Sequence, residues 1–274
     1  MTETIIEEEV LDEEIIDEEQ STPEETQIEE AEKAKCGTYT QYFREIISDN
    51  PATVARFFLM CTYLNFGDDT LMYKKRPMDK STLRKVLRLK EDTFLDFFNE
   101  LEINDIIRVE RDRIKVNPRY SKRGRTETKS IAIIRCFDRP IRRLFETVDA
   151  RKHKHLGYIL MLIPYMHKYT NFLCKVVNID DSDELKSTIY KKDEKDMVFM
   201  SMTDICKLLN YDVSNASRLR KELCSFQVDG EFLFTFAWNG NDQLYPIIND
   251  VFFFGCDWKK KESVHKTLFK AKSK

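Results

Sequence analysis

Ser214, Asn215, Ser217 and Arg218 lie within five consecutive residues, and Arg220 and Lys221 follow at once. The first four are short hydrogen-bonding groups closed by one long guanidinium; the next two are cations. None is paired with a general base, so the set suits recognition rather than bond breaking. Short donors and acceptors at the start of a helix, with long cations further along, fit a helix laid into a DNA major groove. Ser214, Asn215, Ser217 and Arg218 are the expected base readers, and Arg220 and Lys221 would hold phosphates.

The segment that must position them is 202–226. Its apolar spacing predicts a helix, a short turn and a second helix. Ile205 and Leu209 share one face of the first helix, and Ala216, Leu219 and Leu223 share one face of the second. Asn210 stands at the turn, where tolerance of positive φ is needed. Cys206 is the small residue expected where the two helices cross.

Other chemistries lack their residues. The four histidines, His153, His155, His167 and His265, make no metal spacing with cysteines or acids, so no metal site and no cofactor are expected. There is no Gly-rich phosphate loop, nucleophile elbow or His-Glu-x-x-His run, and no enzymatic activity is expected. No two of the seven cysteines are closer than 18 residues, which argues against metal knuckles and for buried thiols in a reducing cytoplasm. No apolar run is long enough to span a membrane, and the first residues are acidic rather than signal-like.

The formal net charge of −3 hides a division. Residues 1–32 hold 15 acids and no Lys or Arg, which leaves 45 basic against 33 acidic residues in the rest. A body with an excess of 12 cations argues for an anionic partner. Residues 1–35 are expected to be a disordered acidic arm. It would act as a solubilising tail, as a polyanion competing with DNA, or as an arm for a protein partner.

Along the body, 38–66 is expected to be helical with a break at Asn50-Pro51. Residues 79–101 repeat the helix-turn-helix pattern, but Glu91, Asp92, Asp96 and Glu100 would meet phosphates there. A hairpin over 106–116 has a charged tip, and Arg111 and Arg113 on it, with Arg119, Lys122, Arg123 and Arg125 in the loop after it, are the remaining expected phosphate contacts. Residues 129–154 are expected to be a basic linker helix starting at Pro140. An apolar helix broken at Pro164 and a charged insertion over 178–198 come next. After the second helix-turn-helix, Asn239-Gly240 marks a second hairpin, and 258–274 is a basic tail.

The two halves share an order: apolar helix, helix-turn-helix, hairpin, Asn (Asn117, Asn249), then Gly (Gly124, Gly255). Their turns, Arg88 and Asn210, are 122 residues apart. The predicted class is mainly α with small β-hairpins (α+β): two tandem winged-helix domains at 36–128 and 155–257, joined by the linker and flanked by the arm and the tail.

Asn215-Ala216-Ser217-Arg218 is similar to the Thr-Val-Ser-Arg run common at the start of recognition helices. The run IIRVERDRIKVNPRYSKRG resembles the hairpin and exit of RepL-like plasmid replication proteins. HLGYILMLIPYMHKYTNFLC, MTDICKLLNYDVSNASRLRKEL and FFFG resemble tandem winged-helix proteins of Gram-positive plasmids and phages. The likeness spans about 40–256. It implies a protein that binds double-stranded DNA, alone or as a homodimer, as a transcription regulator of a phage or mobile element, or as a replication initiator. The rival expectation is a module that binds host proteins through the acidic arm.

Overall fold

The computed structural model describes residues 39–43, 47–124, 133–167, 170–176, 197–238, 244–249 and 252–254. The acidic arm, Arg125, the Asn239-Gly240 turn, Gly255, the tail and nearly all of the charged insertion lie outside them. The described residues all fall within one compact unit. Among the described residues it is α+β, with seven α-helices and short antiparallel pairings.

The chain enters as β1 (Tyr39–Phe43), not as the expected helix. Tyr-Thr-Gln-Tyr-Phe is aromatic and β-branched, and it finds partners on both sides, so pairing outweighs the helical period. Asn50 then caps α1 (Pro51–Cys61): its Oδ1 accepts the Ala52 N–H at 3.1 Å, and Pro51 fills the first helical position. A tight hairpin of β2 (Met72–Tyr73) and β3 (Arg76–Pro77) leads to α2 (Lys80–Leu87) and α3 (Glu91–Ile103). Hairpin β4 (Ile107–Glu110) and β5 (Arg113–Val116) follows, then β6 (Ser121–Lys122).

The second half runs β7 (Ile133–Phe137), α4 (Asp138–Thr147), α5 (His153–Leu162), β8 (Cys174–Val176), β9 (Met197–Phe199), α6 (Met202–Leu208) and α7 (Ala216–Leu223). A small hairpin, β10 (Gln227–Val228) and β11 (Glu231–Phe232), precedes the longer one of β12 (Phe234–Trp238) and β13 (Leu244–Ile248), and β14 (Phe253–Phe254) closes the order. The stretch read as one linker helix is therefore a strand, a helix, a 3-10 turn and the start of α5.

The halves repeat bond by bond. Leu64 bridges Leu71 in one, and Met166 bridges Leu173 in the other. The Asn65 N–H donates to Thr70 O and the His167 N–H to Phe172 O, both at 2.8 Å. Asn117 Nδ2 donates to Asp105 O, and Asn249 Nδ2 to Phe232 O, both at 2.9 Å. The two asparagines thus fasten the exit of each hairpin to its entry. The second half differs by its insertion of β10 and β11 between helix and hairpin.

Four strands join the halves in the order β14-β7-β1-β6. β1 pairs antiparallel with β7, and each takes the final strand of its own half on its other edge. α1 packs on α5. The crossing is close at Gly157, where a Cβ would lie 1.7 Å from Pro51 O. One buried cluster, running from Val54 to Phe252, passes through both halves. The described residues therefore share a core, rather than dividing into two bodies about a linker.

Candidate nucleic-acid interface

Ser201 opens α6 with a capping box: its Oγ accepts the Asp204 N–H at 3.2 Å, and Asp204 Oδ2 accepts the Ser201 N–H at 2.8 Å. Lys175 on β8 donates to Asp204 Oδ1 at 2.6 Å. Burial raises the Asp204 pKa, but the hydrogen bonds from Lys175 and Ser201 prevail and hold the carboxyl below its usual range. Asn210 turns the chain with φ of +50°, as its placement requires. Cys206, Ile205, Leu219 and Leu223 are fully buried, and that burial fixes which face of α7 looks outward.

The outward face carries Ser214, Asn215, Ser217, Arg218 and Lys221, all exposed. Ser214 and Asn215 lie in a 3-10 turn ahead of the helix. Asp212 caps that turn: its Oδ1 accepts the Ser214 N–H at 2.9 Å, and its Oδ2 takes the Asn215 amide at 3.3 Å. The Ser214 hydrogen bonds hold the Asp212 carboxyl low. Arg218 and Lys221 make no ion pair among the described residues. Arg220 lies 4.7 Å over the Phe236 ring of β12. This stack ties the helix to its hairpin. Phe236 carried no local signal of it, since its partner lies sixteen residues earlier.

The remaining expected phosphate contacts lie in the other half. Arg111 and Arg113 are exposed at the tip of β4 and β5, where Arg111 and Asp112 take φ of +50° and +60°. Their neighbours Arg108 and Lys115 share one partner, Glu110, at 2.9 and 2.6 Å. Arg119 is exposed beside Tyr120, and Lys122 is half-buried in β6.

Arg123 corrects the expectation. Its guanidinium pairs with Asp138 at the start of α4 and donates to Thr62 O at 3.1 Å, with both charged side chains largely buried. Arg142 reaches the same carbonyl, and its Nε donates to Thr62 Oγ1 at 3.0 Å. Thr62 caps α1, so both cations answer the negative end of that helix. Arg123 therefore locks α4 to α1 and is not presented to a phosphate.

The helix α3 holds the acids expected to repel DNA, but not all of them face solvent. Glu100 accepts from Thr53 Oγ1 at 2.8 Å and from Ser48, tying α3 to α1. Glu91 pairs with Arg84, which occupies the place of Cys206 in the other half. Asp92 and Asp96 are exposed.

Among the described residues no group of three or more His, Cys, Asp or Glu side chains is placed to hold a metal ion. No helix there is long and apolar enough to cross a membrane. Comparison with family models, with curated proteins and with solved structures finds no match for the chain.

Proposed function

We propose that the protein is a sequence-specific binder of double-stranded DNA, built from two related winged-helix units, that regulates transcription in a phage or mobile element. The observation that carries this reading is the outward face of α7. A capped helix, a left-handed turn and a second helix hold Ser214, Asn215, Ser217, Arg218 and Lys221 clear of the core, with Arg218 and Lys221 in no ion pair among the described residues. Such a face enters a major groove while the hairpin beside it lies along the backbone. Arg218 and the three short side chains before it read base edges; Lys221 holds a phosphate. Arg220 reaches a phosphate from its stack on Phe236, and Arg111, Arg113, Arg119 and Lys122 add contacts that carry affinity without sequence information.

Selection of binding sites from random duplexes, with the wild type and Arg218→Ala, tests the reading. One bidentate contact is worth about 1–3 kcal/mol of discrimination. The variant should lose preference at one base position and keep it elsewhere. An identical selected site for both proteins would remove Arg218 from the reading face.

A further inference from the structure

With the 122-residue spacing of the turns, Asp92, Leu95, Asp96 and Asn99 of α3 take the places of Ser214 in the turn before α7 and of Ser217, Arg218 and Lys221 on it. The buried sets correspond too: Phe97 and Leu101 match Leu219 and Leu223, all at most 1% exposed. The same face of the same scaffold has therefore exchanged its hydroxyls and cations for carboxylates and aliphatic groups. Asp92, Leu95, Asp96, Asn99 and Ile103 form one stripe roughly 100° wide. Leu95 is 42% and Ile103 83% exposed. Asp92 and Asp96 make no ion pair among the described residues. Carboxylates here repel a phosphate backbone, and a bare isoleucine on a charged helix gains by being covered.

The chain contains a segment of the opposite character. Residues 258–274 hold seven lysines against one glutamate, with Trp258, Val264, Leu268 and Phe269 among them. Val264 and Leu268 stand four apart, so a helical turn would set them on one face, with Lys260, Lys261 and Lys272 flanking them. That is an aliphatic pair rimmed by ammonium groups, against an aliphatic pair rimmed by carboxylates. The twenty residues after Phe254 reach up to roughly 65 Å when extended, so length does not limit the contact.

We propose that the outward face of α3 is the docking surface for the chain's own basic segment, residues 258–274. Leu95 and Ile103 receive its aliphatic side chains, and Asp92 and Asp96 receive its lysines. This proposal does not depend on DNA reading by α7.

A photoreactive benzophenone amino acid at position 95 of the full-length protein tests it. After irradiation at low salt, with and without duplex DNA, cross-linked peptides are identified by mass spectrometry. The expected product runs at monomer mass and joins position 95 to a peptide within 258–274. Its yield should fall at least several-fold in Asp92→Lys/Asp96→Lys and return when Lys261→Glu/Lys272→Glu is added. That rescue cannot come from an unfolded protein. Cross-links to any other segment, to a second copy at dimer mass, or to the duplex would overturn the proposal, as would charge reversal without rescue.

Discussion

Gln41 in β1 stands directly opposite Arg135 in β7, and each is the other's counterpart. Gln41 also pairs with Lys122, five residues past Asn117, and Arg135 with Phe254, five residues past Asn249. An antiparallel pair in which equivalent residues meet is what a two-fold axis between the halves produces. The chain is thus arranged like a dimer of itself, with one shared sheet and one shared core. Of the two equivalent helix faces, the one on α7 carries hydroxyls and cations, and the one on α3 carries carboxylates and aliphatic groups.

Arg123 and Lys122 are neighbours with different work, and substitution separates them. Arg123→Ala strands Asp138, which is only 3% exposed, and should cost about 3–5 kcal/mol of stability by urea unfolding. Lys122→Ala should leave the unfolding midpoint nearly unchanged. It should weaken binding to all duplexes alike and reduce the salt slope by about 1.

Gly157 is required by the approach of α1 to α5. A methyl group there meets the Pro51 carbonyl, which is backbone and cannot swing away. Gly157→Ala should therefore lower stability by at least about 2 kcal/mol, despite the better helix propensity of alanine. An unchanged midpoint would show that the helices can part at no cost.

His153 supplies a pH dependence. It is 4% exposed, and burial, helped by Arg56, lowers its pKa to about 4 from the ordinary 6.5. The unfolded chain takes up a proton near pH 6.5, whereas the folded one resists until about pH 4. More protons are bound in the unfolded state across that window, so stability falls as pH falls through it. The expected loss is on the order of 1–3 kcal/mol between pH 7 and pH 4. His153→Gln should flatten that part of the profile in parallel urea titrations. An equally steep profile in the variant would place the titration elsewhere.

The legible parts of the fold were those written locally. Asn50-Pro51, the apolar spacing of α6 and α7, and the turn at Asn210 each carry their own instruction within a few residues. The match of Asn117 to Asn249 was visible as a repeat, and both prove to make the same hydrogen bond. What escaped depends on distant partners. β1 is a strand because β6 and β7 flank it, a fact absent from Tyr-Thr-Gln-Tyr-Phe itself. Arg123 read as one more cation in a basic loop because Thr62 lies 61 residues earlier. Ser214, Asn215, Ser217 and Arg218 were legible as an exposed set because the burial of Leu219 and Leu223 fixes the phase of the helix.

On the proposed function, a cationic body, offset by the acids of residues 1–32, grips a duplex. Gel-shift titration of duplex DNA with full-length protein and with residues 33–274, over a range of salt, tests it most directly. Residues 33–274 are expected to shift duplex DNA at modest ionic strength. At low salt they should bind more tightly than the full chain, by a margin that shrinks as salt screens the arm. Failure of residues 33–274 to shift any duplex under those conditions would contradict it.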